Sequence, residues 1–180
     1  MVDTFPEPLA MLNREHDEEK KKLEELKGEI SALKGTHGRN FQKLPQKARS
    51  LFLSIESELL IHMRKEEEGL FPIMRGDEDE LWNLSPFIIE HYELVRMAKE
   101  IHEIIDTLNG INGKDESGKH LIKRLSVKTQ LFGGFLSHHM EMEENVLFPM
   151  ALEAMSEAEL SHAHRLMRIL ETWPSRFLRS

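Results

Sequence analysis

Apolar residues recur along most of this chain at intervals of three or four residues, the spacing that places them on one face of an α-helix. The pattern predicts four long amphipathic helices, over roughly 9–34, 46–70, 85–109 and 118–147. A fifth, shorter helix is predicted over about 156–172, because Ser156 and Glu159 have the spacing of a capping box. The alternating runs of valine, isoleucine and threonine that are typical of strands are absent. The fold class is therefore predicted to be all-α.

Prolines and glycines lie where these helices are expected to begin or end. Ser85-Pro86 is a cap residue followed by proline at the first helical position, and Asn109-Gly110 ends the same helix. Pro72 is expected to end the second helix, because proline cannot donate the helical hydrogen bond. Gly133-Gly134 lies inside the fourth helix, where we expect close approach by the fifth helix.

Short connections between long amphipathic helices predict an antiparallel up-down-up-down four-helix bundle with an extra C-terminal helix. We expect the whole chain, 1–180, to be a single domain, with the bundle over about 9–150. The two helical hairpins resemble each other, since each ends in a histidine, two glutamates and Leu-Phe-Pro.

Composition and charge exclude several classes of function. The net charge of −8 argues against binding to nucleic acid, and no apolar stretch approaches the roughly 20 residues that span a bilayer. Cysteine is absent, which excludes disulfides, thiolate-bound zinc and iron–sulfur clusters. The N-terminus lacks the features of a secretory signal, so the expected location is the cytoplasm.

Histidine and glutamate interrupt the apolar faces of all four long helices. Each helix carries one such histidine, and the second and fourth helices add a glutamate one turn later, on the same face as the histidine. Counting residues from the helix ends places the four histidines at similar depth, within about 3 to 5 Å for antiparallel neighbours. The candidate metal ligands are His16, His62, Glu66, His91, His139 and Glu143.

Two carboxylates buried among four imidazoles would be costly without compensation, and they favour a metal site. Imidazole suits iron, zinc, copper and nickel, and carboxylates that can bridge two ions favour a dinuclear centre with positions open for small ligands. Glu67 and Glu68 are rotated to other helix faces, toward solvent or the surroundings of the site, and Glu144 faces away as Glu67 does. His138 is rotated off the site face, so we expect it in the surroundings of the site or at the surface. Glu15 and Tyr92 have two interpretations, as partners of the ligands or as sequence neighbours that face elsewhere, and we favour the second.

This arrangement resembles the hemerythrin-like HHE cation-binding domain over about residues 9–150. The resemblance implies two iron ions with an oxo or hydroxo bridge, zinc and manganese being the alternatives. It also implies that the histidines are terminal ligands and that Glu66 and Glu143 bridge the irons. Oxygen-carrying hemerythrins have a fifth histidine where this chain has Val95. The remaining set is similar to the di-iron domain of iron–sulfur-repair proteins, whose N-terminal cysteine-bearing module is absent here.

Three functions follow from these predictions. The first is a di-iron protein that binds or senses dioxygen or nitric oxide, or handles iron. The second is a di-iron enzyme that reduces peroxide or oxidises a small substrate, or an iron–sulfur-repair-like protein. The third is a metal-free helical interaction module. We favour binding over catalysis, because no proton-donor constellation stands out beyond the candidate ligands. The sequence leaves the oligomeric state open.

Overall fold

The computed structural model describes residues 5–35, 46–74, 83–110 and 116–172, and it confirms the all-α fold, with no strand in these ranges. The four long helices are α1 (Glu7–Gly35), α2 (Gln46–Lys65), α4 (Ser85–Gly110) and α5 (Glu116–Met142). They form a closed ring in which α1 packs on α2 and α5, and α4 packs on α5 and α2. This is the predicted four-helix bundle. No described helix is long and apolar enough to cross a membrane.

The second and fourth helices do not end where the prolines predict. A π-helical turn, Glu66–Leu70, follows α2 and leads into the short helix α3 (Phe71–Met74). A second π turn, Glu143–Leu147, follows α5 and leads into α6 (Phe148–Ala154). The expectation that Pro72 ends the second helix is therefore wrong. The proline lies in the first turn of the next helical segment, where its missing N–H costs little.

The extra C-terminal helix, α7 (Glu157–Thr172), packs against α1, α2 and the first π turn. The predicted capping box starts it, since the Ser156 amide donates to Glu159 Oε2 at 2.7 Å and the Glu159 amide donates to Ser156 Oγ at 3.4 Å. Gly69 allows the approach of α7, because a Cβ added there would lie 3.1 Å from Met167 Cγ. The expectation that α7 packs on Gly133-Gly134 is wrong.

The buried side chains form two apolar clusters separated by a polar layer. The larger cluster fills the bundle from Leu23 to Ile30 on α1 and the corresponding parts of the other helices. The smaller one closes the opposite end and includes Leu12, Leu70 and Leu147. The candidate ligands lie between them, so the fold places a polar layer within an apolar interior.

Candidate metal centre

All six predicted ligand side chains meet in the polar layer, and none is more than 3% exposed. The histidines come from α1, α2, α4 and α5, and the two glutamates are the first residues of the two π turns. π turns are rare and occur often at functional sites. In each turn the phenylalanine amide donates to the glutamate carbonyl five residues earlier, from Phe71 to Glu66 and from Phe148 to Glu143.

One half of the site is built around the histidines of α1 and α2. His16 Nε2 lies 3.2 Å from His62 Nε2 and 2.9 Å from Glu143 Oε2. His62 Nε2 lies 3.6 Å from the same Glu143 oxygen and 3.9 Å from Glu66 Oε1. Two imidazole nitrogens therefore face one oxygen from each carboxylate.

The other half repeats this arrangement with the histidines of α4 and α5. His139 Nε2 lies 2.7 Å from Glu143 Oε1. His91 Nε2 lies 3.2 Å from Glu66 Oε2 and 3.8 Å from Glu143 Oε1. Each carboxylate thus directs one oxygen toward one histidine pair and its second oxygen toward the other pair.

These distances suit metal ions rather than direct protein contacts alone. Ligand atoms about 2.1 Å from a common ion lie roughly 3 to 3.4 Å apart in octahedral or tetrahedral geometry. The observed separations run from 2.7 to 3.9 Å and so span these values. The half at His91 and His139 brings two imidazole nitrogens and one oxygen of each carboxylate within 4.8 Å of one another, whereas the half at His16 and His62 brings together two nitrogens and one oxygen of Glu143. Both donor sets suit iron, manganese or zinc and would leave coordination positions open on a six-coordinate ion.

Several of these buried atoms lie close to an oppositely charged group but make no hydrogen bond of acceptable geometry with the described residues. They are both side-chain oxygens of Glu66 and of Glu143, together with Nε2 of His91 and of His139. Buried polar atoms are nearly always satisfied, so an unpaired group calls for an ion or a water. The atoms left unpaired are those that point at the middle of the site, as expected if cations occupy it.

The outer nitrogen of every histidine contacts a further carboxylate. Such carboxylate–histidine pairs fix the ring orientation and leave Nε2 free to bind a metal. The Nδ1-to-oxygen distances are 2.9 Å for His16–Glu144, 2.9 Å for His62–Glu15, 2.6 Å for His91–Glu67 and 2.7 Å for His139–Glu90.

A family comparison agrees with this geometry. Residues 7–151, most of the chain, match the family described as the hemerythrin HHE cation binding domain. The chain belongs to the hemerythrin HHE family. A search of curated proteins found no match. The family and the buried histidine–glutamate cluster together indicate a metal-binding protein.

Sequence reasoning missed the four outer glutamates of this hemerythrin-type site. Glu144 was expected to face away and Glu15 to be a sequence neighbour that faces elsewhere, yet each contacts a histidine. Glu67 was expected to face solvent or the surroundings of the site, and it contacts His91. Each side chain points along the seam between two helices, where the outer nitrogen of a neighbouring helix's histidine lies. The signal was local: a glutamate immediately precedes His16 and His91 and immediately follows Glu66 and Glu143.

Three other polar residues lie away from the site. His138 is exposed, as predicted, and Tyr92 is 73% exposed. His102 Nδ1 lies 3.2 Å from Glu56 Oε2 at the bundle surface.

The charges of the site differ between its two glutamates. Burial opposes the charge of Glu143, but its contacts with His139, His16 and the other two histidines outweigh burial and hold its pKa well below the usual range. Burial raises the pKa of Glu66, and the nearby charge of Glu143 raises it further. In the metal-free protein the negative charge therefore concentrates on Glu143.

Two phenylalanines close the site at the end of the bundle. The ring of Phe148 stacks on His16 with centroids 5.8 Å apart, and that of Phe71 stacks on His91 at 6.1 Å. Both are buried, and both immediately follow a π turn. They separate the polar layer from the apolar end of the bundle, which restricts the access of water.

Proposed function

We propose that this hemerythrin-family chain holds a dinuclear non-heme iron centre bound by His16, His62, Glu66, His91, His139 and Glu143. The observation that supports it best is the division of each carboxylate between the two histidine pairs, with Glu143 Oε2 2.9 Å from His16 and Glu143 Oε1 2.7 Å from His139. Such a carboxylate can bridge two ions, whereas a mononuclear site would need only one of its oxygens.

We further propose that the centre binds or senses a small ligand such as dioxygen or nitric oxide, or handles iron. The bound ions would supply an open coordination position for that ligand. The protein supplies a buried polar layer, in which the outer glutamates contact the histidines and the rings of Phe71 and Phe148 stack on His91 and His16. This environment suits a diatomic molecule better than a large substrate.

The test is metal analysis, together with an absorption spectrum, of the aerobically purified full chain. We expect two iron ions per chain and near-ultraviolet charge-transfer absorption. His139→Ala should lose most of the bound iron, because it removes one of the nitrogens that face Glu143. His138→Ala is the matched control, since the adjacent exposed histidine is off the site and should leave iron content unchanged.

Stoichiometric zinc alone, or no metal in the wild-type chain, would contradict the di-iron proposal. Titration with nitric oxide and measurement of peroxide turnover then separate a sensor from an enzyme. Tight nitric oxide binding without turnover supports sensing, whereas sustained peroxide reduction would assign the centre to catalysis.

A further inference from the structure

A second acidic site lies beside the proposed metal centre. A cavity of about 290 Å³ opens between α1 and α2, near the C-terminal end of α7. Its lining contains five carboxylates and one ammonium group, a formal charge of −4. The charged lining residues are Glu15, Glu18, Glu19, Glu58, Lys65 and Glu171.

Glu19 distinguishes this cavity from an ordinary acidic surface. Its side chain forms part of the cavity wall, but the residue is only 2% exposed and both carboxylate oxygens are buried beneath that wall. Neither of its oxygens has a hydrogen-bond partner among the residues that the structure describes. Leaving a buried carboxylate unpaired costs several kcal/mol, so it calls for a bound ion or water.

The other charged groups of the cavity are largely engaged with one another. The ammonium group of Lys65 is buried and contacts the carboxylates of Glu15 and Glu171, at 2.8 Å for Glu171. Glu58 accepts a hydrogen bond from Ser54 at 2.7 Å and pairs with Lys22. Glu19 makes no ion pair with Lys65, and the charges of His62 and His16 only partly oppose the rise in its pKa that burial causes. The exposed carboxylate of Glu18 lies in the lining with it.

The cavity is adjacent to the metal centre. Glu15, which forms part of its wall, contacts His62 Nδ1 at 2.9 Å. Glu19 lies one helical turn from His16 on α1, between the centre and the apolar cluster that begins at Leu23. The cavity wall and the centre therefore share the Glu15–His62 contact.

We propose that Glu19, with Glu18 and the acidic lining of this cavity, binds a divalent cation on its way to the dinuclear centre. An acidic cleft with low-dielectric walls concentrates cations and speeds their association. Burial raises the pKa of Glu19 to about 7 in the metal-free protein, so the group is readily ionised when a cation arrives. The inference rests on the proposed dinuclear centre, because the cavity would supply that centre with ions.

The first experiment counts ions at equilibrium in the full chain. Protein preloaded with two Zn²⁺ per chain is titrated with Mn²⁺, and free Mn²⁺ is followed by electron paramagnetic resonance. The wild-type chain should bind one further Mn²⁺, and Glu19→Gln should abolish this binding. Glu24→Gln is the control, since it removes the same charge from an exposed position of α1 outside the cavity.

The second experiment measures how fast the metal-free chain takes up Zn²⁺ from a fluorescent indicator. Glu19→Gln should slow uptake by about tenfold without changing the final two ions per chain. Glu18→Gln should slow it less, and Glu24→Gln should not slow it. The Glu18 variant keeps the test informative if Glu19→Gln fails to fold, which circular dichroism would reveal.

The outcomes separate the two proposals. A wild-type chain that retains two Zn²⁺ but binds no third ion, with uptake unchanged in Glu18→Gln and Glu19→Gln, overturns the cavity proposal alone. A wild-type chain that takes up no Zn²⁺ and no iron contradicts the dinuclear centre itself.

Discussion

His139 Nε2 lies 2.7 Å from Oε1 of Glu143, one turn further along the same helical path. The second oxygen of Glu143 lies 2.9 Å from His16, on the opposite side of the site. Glu143 lies within 4 Å of all four histidines, whereas Glu66 does so with only His62 and His91. The two glutamates occupy equivalent positions in the repeated hairpins, but they are not equivalent in the metal-free protein.

This difference predicts unequal effects of neutralising the two glutamates. Glu143→Gln should lower the free energy of unfolding of the metal-free chain by about 3 kcal/mol, because it removes a charge that compensates several buried histidines. Glu66→Gln should lower the free energy of unfolding by a smaller amount, since burial raises the pKa of Glu66 and so disfavours its charged form. Urea denaturation of metal-free protein measures both values. Equal losses would show that the charge is shared evenly between the two carboxylates.

The outer glutamates are predicted to tune metal affinity without binding the metal. Glu67→Gln removes the carboxylate 2.6 Å from His91 Nδ1 and should weaken metal binding by about 10- to 100-fold. Glu68→Gln is a matched control, because the next residue pairs with Arg64 at the surface. Competition with a chelator of known affinity gives the metal affinity of each variant relative to the wild-type chain. If Glu67→Gln binds metal as tightly as Glu68→Gln, the role of Glu67 is confined to packing.

The adjacent glycines of α5 offer a paired test of packing. Gly134 has open space around its missing Cβ, so Gly134→Ala should raise the free energy of unfolding by about 0.5 to 1 kcal/mol. At Gly133 an added Cβ would lie 3.0 and 3.1 Å from the two Cδ atoms of buried Leu23 and 2.8 Å from Lys27 Cε. Gly133→Ala should therefore destabilise the chain. Thermal denaturation distinguishes the two variants. A gain in stability at both positions would mean that Leu23 and Lys27 of α1 move aside at little cost.

The stability of the metal-free chain should fall as pH rises, whereas the affinity of the chain for metal should increase. Burial opposes the charge of His91, but Glu143, Glu66 and Glu67 outweigh it and raise its pKa to about 11. A raised histidine pKa stabilises the metal-free fold fully below about 6.5, the unfolded value, and this stabilisation is lost as pH rises toward 11. Metal ions compete with these protons, so metal affinity should instead increase with pH.

The measurement is chelator competition at about pH 6 and about pH 8, with proton release followed by an indicator dye. Each displaced proton should contribute about a tenfold gain in affinity per pH unit. Urea denaturation of the metal-free chain over the same range should show a fall in the contribution of His91 to stability as pH rises. An affinity that is flat with pH would mean that the histidines are already neutral before metal arrives.

The helical periodicity predicted most of the fold, because amphipathic faces and short connections leave few arrangements for four helices. It also predicted which residues meet in the polar layer, since His62 and Glu66 interrupt an otherwise apolar face. The periodicity did not predict the two π turns. In a regular α-helix, Pro72 would be expected to end the helix. The π turn that begins at Glu66 changes the hydrogen-bond pattern, and the helical path continues past the proline.

The outer glutamates were missed for a related reason. A helix position that faces a seam between helices is neither clearly buried nor clearly exposed in a periodicity pattern. Glu67 is 43% exposed by its side chain, and yet it reaches His91. Glu19 was not among the residues singled out from the sequence, because its burial depends on neighbours from other helices as well as on its own helix. These residues are defined by neighbours from elsewhere in the chain.

The repeated hairpins have one further consequence. Each hairpin supplies one pair of histidines and one glutamate whose two oxygens point toward different histidine pairs. Two copies of a single hairpin related by a two-fold axis would therefore present an equivalent set of six ligands. The helix α7 breaks this equivalence, because it packs on Gly69, whose counterpart in the second hairpin is Val146, 37% exposed. A symmetric dimer would have to carry such a helix on both halves. Joining the halves in one chain lets one flank acquire a covering helix that the other flank lacks among the residues that the structure describes.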